Sequence, residues 1–150
     1  MKIFKKLSIT TILMFALSLH SFSSESPADK IIGFWSTKDN KAVVQIYKIK
    51  DAYFGKLISG VALYESDGKT LKKDIKNEDA SKRNNTVKNS VILFNLQFKD
   101  GRWSNGNIYD PENGSTYSCK IQLNGSKLEI RGYIGFSLIG RTEIWQRTNI

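Results

Sequence analysis

Residues 103–119 read Trp103-Ser104-Asn105-Gly106-Asn107-Ile108-Tyr109-Asp110-Pro111-Glu112-Asn113-Gly114-Ser115-Thr116-Tyr117-Ser118-Cys119. Two strand-forming runs flank a turn that its own residues specify. Pro111 presets φ for the first central position, Asp110 can accept from the amides ahead of it, and Gly114 supplies the left-handed residue that returns the chain. The same punctuation recurs outward in both directions. Asp100-Gly101 precedes Arg102-Trp103, Asn124-Gly125 joins Tyr117–Leu123 to Lys127–Ile134, and Asp67-Gly68 marks a further turn. Asx-Gly pairs suit tight hairpins because the favoured turns need positive φ. Toward the N-terminus, Ile31 to Thr37 reads as a first strand. Asp39-Asn40 turns it into Ala42 to Lys50, and Asp51 leads into Ala52 to Tyr64. Strands at this spacing, without long helical periods between them, predict an all-β antiparallel meander and not βαβ units.

Alternation supports strands. Leu128, Ile130, Gly132 and Ile134 fall on one face, with Lys127, Glu129, Arg131 and Tyr133 on the other. Tyr117, Cys119, Ile121 and Leu123 alternate with polar residues, which marks Cys119 as a small buried hydrophobe. Residues 91–98 are apolar on both parities, the pattern of a strand buried on both faces. Residues 69–89 break the rhythm: they are rich in Lys and poor in large apolar groups. They predict a long crossover with one short helix through about Arg83, for which Asn77 would be the cap. Such a segment is either a solvated crossover or a lid or docking loop over one end of a barrel.

The first residues are an export address. Lys2, Lys5 and Lys6 precede an apolar run from Leu7 to Leu19, and Ser21-Phe22-Ser23 puts small residues where a signal peptidase cuts. Residues 1–23 are therefore expected to be a cleaved signal peptide, with Ala28 as a second cleavage point, and 24–150 a single domain. The run is too short for a good membrane span, and no Cys near the cut marks a lipoprotein. The mature protein is expected to be periplasmic or secreted. Loss of the three leader lysines takes the formal charge from +9 to +6, compatible with an anionic partner but equally with an ordinary Lys-rich surface.

The composition excludes several chemistries. The single His is His20, within the leader, and the single Cys is Cys119. A Ser-His-Asp or Cys-His triad, His-ligated zinc and internal disulfides are thereby excluded from the mature chain. Asp110, Glu112 and Asn113 supply too few oxygens for Ca²⁺ and read as turn chemistry. No metal or cofactor is expected, and no nucleic-acid-binding motif is present.

The 103–119 stretch, together with Arg131-Gly132-Tyr133-Ile134-Gly135 through Gly140-Arg141 to Trp145-Gln146-Arg147, resembles an uncharacterised bacterial secreted family, domain of unknown function 2147. The resemblance begins at Gly33-Phe34-Trp35, and a Gly-x-Trp at the start of the first strand is seen in lipocalins and their relatives. It implies an up-and-down, eight-stranded, lipocalin-like (calycin-type) barrel, and it carries no known activity. In such a barrel the last strand, 141–148, lies antiparallel to the first, so Arg147 is the residue expected to stack on Trp35 across the closed end. Arg141 is the second choice. That pair is structural.

A barrel of this size is either filled by side chains or holds one small ligand, so its interior is the default site. The interior ligand-contact candidates are Tyr47, Phe94, Trp103, Tyr117, Arg131 and Tyr133. If the face of Arg131 and Tyr133 points inward, an Arg among tyrosines suits a carboxylate or phosphate headgroup beneath an apolar tail. If it points outward, both are surface groups. The expected function is non-enzymatic binding of a small apolar or amphipathic molecule, such as a fatty acid, by a monomer or weak dimer. The alternative is an envelope protein-interaction module or inhibitor acting through loops near 69–89 or 135–140, with the barrel filled.

Overall fold

The computed structural model describes residues 25–150; the predicted signal peptide over 1–23 lies outside the described residues. Eight strands follow in order: β1 Gly33–Ser36, β2 Val43–Ile49, β3 Ala52–Ser59, β4 Val91–Lys99, β5 Arg102–Asp110, β6 Ser115–Asn124, β7 Lys127–Tyr133 and β8 Gly140–Thr148. Each pairs antiparallel with its neighbour, and β8 pairs back onto β1, which closes the barrel. The first strand is shorter than its alternation suggests because Pro27–Ile31 forms a 3-10 turn capped by the Ser26 hydroxyl.

Hairpin turns at 50–51, 100–101 and 125–126 mark one end of the barrel, the base. The connections 37–42, 60–90, 111–114 and 134–139 mark the other end, the mouth. Inward parity is fixed by the row Trp35↔Val44↔Leu57, all buried. In the lower barrel Trp35, Val44, Ile46, Tyr53, Leu96, Trp103, Ile121 and Leu128 are at most 1% exposed. Phe98 and Tyr53 pack on Trp103, with ring centroids 4.9 and 6.3 Å away. The base is thus a solid apolar plug.

The 3-10 turn Pro27–Ile31 covers that plug from below. The Trp35 indole donates to the Ile31 carbonyl at 2.8 Å, and the Trp103 indole donates to the Ala28 carbonyl at 3.1 Å. Asp29 accepts from Lys48 Nζ at 2.8 Å and from the Tyr53 hydroxyl at 2.6 Å. These two bonds, Lys48 first, hold the Asp29 carboxyl below the usual carboxylate range. Arg147 completes the closure: its guanidinium carbon lies 4.2 Å from the Trp35 ring centroid. It also donates to the Ile32 carbonyl at 3.1 Å and to the Lys30 carbonyl. Gly33 is required by the same contact, since a Cβ there would sit 2.8 Å from an Arg147 nitrogen, and its φ is +131°. The Gly-x-Trp pattern is therefore one half of a junction whose other half is 114 residues away at Arg147.

Residues 91–98 bury both faces only near their start, at Ile92 and Leu93. Asn95, at φ 54°, and Asn105, at φ 59°, are positive-φ residues in neighbouring strands, and the β5–β6 register shifts between Trp103 and Gly106. Such irregularities advance the alternation by one residue. Leu93 and Leu96 are buried, while Asn95 and Gln97 are exposed. The 60–90 connection holds 3-10 turns at Val61–Leu63 and Ala80–Lys82 in place of the expected helix. Asp79, not Asn77, caps the second, because its carboxylate accepts from the Ser81 amide at 3.0 Å. Asn77 instead donates to Asp74 and accepts from the Asp79 amide.

Two predictions concern the base. Arg147→Ala is expected to lower unfolding free energy by about 1–2 kcal/mol in urea titrations, through loss of an exposed cation–π contact and charged hydrogen bonds. Arg141→Ala, at the mouth, should change it by less than ~0.5 kcal/mol. The lowered Asp29 pKa means its stabilisation is present above the ordinary carboxylate range and is lost as pH falls through the folded-state value. Melting curves across pH should therefore show Asp29→Asn less stable than wild type at neutral pH, with the gap closing in acid.

Candidate ligand cavity

Above the plug the barrel is open. A cavity of about 1000 Å³ opens at the mouth, with walls that include Leu57, Ile92, Ile108, Ile130, Gly132 and Trp145. It is large enough for a drug-sized molecule. The register explains the space. Gly106, Cys119, Gly132 and Arg141 form one row across the sheet; Gly106 packs tightly against Phe94 and Leu96 and Cys119 is fully buried, so of the four only Gly132 and Arg141 line the space. A Cβ on Gly132 would make only ordinary contacts, at 3.4 Å from Ile108 and 3.7 Å from Tyr117. Trp145 and Ile130 lie toward the floor, Trp145 directly opposite Leu128 and Ile130 one pleat above it.

Polar groups enter this space at defined points. Glu143 stands opposite Ile130, inside the barrel and half-buried. Its carboxylate accepts from the Trp145 indole at 3.4 Å and lies 3.7 Å from Arg141. Tyr117 is inward, and its hydroxyl accepts from Asn113 Nδ2 at 2.9 Å. Lys38 and Lys41 from one loop and Lys72, Lys73 and Lys76 from the 60–90 connection ring the rim, with Asp39, Glu65 and Glu112 among them. The deep walls are apolar and the rim is charged.

The 60–90 connection is an ordered strap. It bonds to itself through Val87 N to Lys72 O and Asp74 N to Asn85 O, both at 2.9 Å. Its anchor is Asp74, buried at 5% exposure, which accepts from the Tyr109 hydroxyl at 2.6 Å and from Asn77 Nδ2 at 2.7 Å. Burial and the Asp74 carboxylate both raise the Tyr109 pKa, so the phenol stays protonated and donates. Lys76 donates to the Glu112 carbonyl, and its own carbonyl crowds Gly114, where a side chain could not fit. The strap and the 111–114 turn therefore hold one another at the rim.

The candidates read from sequence distribute unevenly. Tyr117 lines the cavity, and Tyr133 contributes to its rim. Trp103 points inward but belongs to the filled base. Three do not reach the interior. Tyr47 lies opposite Phe54, stacked at 6.0 Å, on the outer face, because Val44 and Ile46 take the inward parity. Phe94 is in register with exposed Asn107, because Leu93 takes the inward position against Val44 and Gly55. Arg131 is also outside. Its neighbours Ile130 and Gly132 face the cavity, and Arg131 donates to the Ser137 and Leu138 carbonyls and to Thr142 Oγ1, at 2.7, 3.1 and 2.9 Å. A shallow depression of about 260 Å³ on the outer wall includes Arg131, Lys120 and Arg102. The residues that sequence reasoning missed are Leu57, Ile92, Ile108, Ile130, Glu143 and Trp145. The apolar parity of Leu128 and Ile130 was a usable signal for them, since apolar faces of antiparallel sheets turn to the core. Cys119 is fully buried, and burial pushes its thiol up to about 12.

The family model for an uncharacterized protein conserved in bacteria, DUF2147, matches residues 33–147, and the chain belongs to this family. The match begins at Gly33 and ends at Arg147, the two ends of the base junction. Among solved structures, the chain is similar to protein HP1028 from the human pathogen Helicobacter pylori, described as belonging to the lipocalin family. The TM-score is 0.69 at 24% identity, covering 80% of this chain and 84% of that one. The likeness places the barrel in the lipocalin-like fold. No match was found among curated proteins.

Tyr109→Phe tests the strap. It removes one partner of a buried carboxylate, which should cost about 1–3 kcal/mol. Hydrogen exchange should quicken selectively at amides of residues 72–87 and of the 111–114 turn, while the β1–β2 amides keep their protection.

Proposed function

We propose that the protein is an exported, non-enzymatic carrier or sensor of a small apolar or amphipathic molecule held in the upper half of the barrel. One observation carries the reading: the base is packed solid while a cavity of about 1000 Å³ above it opens at the mouth. Apolar walls favour a hydrocarbon body by removing it from water, at about 25 cal/mol per Å² of apolar surface. The lysines and Arg141 at the rim favour an acidic headgroup held at the entrance. A fatty acid or similar amphiphile satisfies both. Glu143 limits how deep an anionic group can sit, since a second carboxylate beside it would lack a counter-charge in a partly desolvated site. The headgroup therefore belongs at the rim, above Glu143.

The absence of His among the described residues and the burial of Cys119 favour binding over catalysis. Glu143 is held by Arg141 and Trp145, with neither a second carboxylate nor a nucleophile among its partners. Export is supported by the leader pattern of residues 1–23.

Gly132→Leu tests the reading directly. The backbone there needs no positive φ, and the added side chain would project into the cavity. Titration with an apolar fluorescent probe, displaced by oleate, should show at least about a tenfold loss of affinity for this variant, with the urea midpoint near wild type. Equal probe binding by the two proteins would rule out the upper barrel as the site.

A further inference from the structure

The large apolar side chains that the fold leaves in water concentrate at the mouth. In the β7–β8 loop, Ile134 is 70% exposed, Phe136 80%, Leu138 90% and Ile139 73%. Ile75 of the strap and Val61, both at the same end, are 67% and 77% exposed. A monomeric protein seldom presents such a cluster without a partner for it. The loop is not a loose segment. Arg131, from the outer face of β7, grips it by donating to the Ser137 and Leu138 carbonyls and to Thr142 Oγ1, and Ile139 N bonds to Phe136 O at 3.0 Å. These bonds satisfy backbone groups of the tip and fix the loop with its apolar side chains outward.

The surroundings identify the partner. Ile134 and Ile139 also border the cavity, so the apolar tip is continuous with the entrance. Lys38, Lys41, Lys72 and Lys73 stand around the same opening, and none has a carboxylate within salt-bridge distance among the described residues. Of the acids nearby, Asp110 is taken up by its own turn and Glu143 by Arg141 and Trp145, while Asp39, Glu65 and Glu112 stand among the lysines without an ion-pair partner among the described residues. A narrow six-residue tip with three aliphatic side chains and one Phe is a poor protein interface. Stable interfaces cover about 800 Å² per partner and draw on Tyr, Trp and Arg anchors. Apolar residues that project together, with lysines around the same opening, match instead the composition suited to an anionic bilayer surface. There the side chains reach the headgroup–acyl boundary and the ammonium groups remain among phosphates.

We propose that the 134–139 loop docks the barrel mouth onto an anionic lipid bilayer, inserting Ile134, Phe136, Leu138 and Ile139 and setting the cavity entrance against the lipid. This surface is independent of what the cavity holds, so the two readings can fail separately: a cavity failure shows in probe titration, a surface failure in vesicle binding. The test is flotation of the purified protein with vesicles of phosphatidylethanolamine and phosphatidylglycerol, and with phosphatidylcholine alone. Wild type is expected to float with the anionic vesicles, more weakly in high salt and more weakly with phosphatidylcholine. Phe136→Ser/Leu138→Ser should reduce flotation at least about tenfold while keeping the circular dichroism spectrum and probe binding. Ile49→Ser, an exposed apolar site at the base, should float like wild type. Leu138→Trp gives a second readout, since its emission should shift to the blue on adding anionic vesicles. The proposal is overturned if wild type does not float, if the double serine variant floats as well as wild type, or if Leu138→Trp emission does not shift. It is also overturned if the wild type self-associates without vesicles, the double variant remains monomeric, and vesicles add no binding; the loop would then join copies of the chain.

Discussion

Closing an eight-stranded sheet on itself makes the side-chain parity of one strand binding on all the others. The point of closure is the meeting of β1 and β8, where Trp35 faces Val44 on one side and Arg147 on the other. Arg147 covers the indole and ties β8 to the carbonyls of Lys30 and Ile32. With that row fixed, Leu57, Leu93, Ile108, Tyr117, Ile130 and Trp145 must face inward, and Tyr47, Arg131 and Tyr133 take the opposite parity. Gly33 belongs to the same constraint, because any side chain there would displace the guanidinium.

The division of the interior follows from residue size along those inward rows. Near the base they carry Trp35, Tyr53, Phe98 and Trp103, whose rings fill the cross-section of a small barrel. Nearer the mouth they carry Gly132 and branched aliphatics such as Leu57, Ile108 and Ile130, which leave it open. Both indole N–H groups of the plug are satisfied by the 3-10 turn beneath, and among the described residues no buried side-chain polar atom lacks a partner. Rigidity at one end and space at the other thus come from a single gradient of side-chain volume. The charged rim and the strap, held by Tyr109 and Asp74, then set what can approach the space.

Much of the architecture was legible in the residues. Asx-Gly turns placed two of the base hairpins, and Gly33, Trp35 and Arg147 lay at the ends of one predicted row. The site was less legible, for reasons that can be stated. Alternation along Lys127–Ile134 separated two faces without saying which was interior. The Arg131–Tyr133 pair has the chemistry of a headgroup site, whereas the apolar companions Leu128 and Ile130 own the core. In β4 and β5, the positive-φ residues Asn95 and Asn105 shift the parity within the strands, so a simple period of two run from Trp103 would put Tyr109 inside and Ile108 outside. Asn tolerates positive φ, but nothing in the local pattern marks these two as irregular. The strap was the least legible part, because Asp74 and Tyr109 are 35 residues apart and their contact depends on tertiary packing.

The upper barrel is proposed as a binding space, and the lower barrel is a packed plug. Native mass spectrometry of the protein, purified without detergent from its own cells and followed by organic extraction, decides between the two outcomes. A stoichiometric adduct of lipid-like mass, absent from a Gly132→Leu protein prepared in parallel, is the predicted result. A clean apo mass for wild type in repeated preparations, with no adduct regained on incubation with fatty acids or phospholipids, would contradict it.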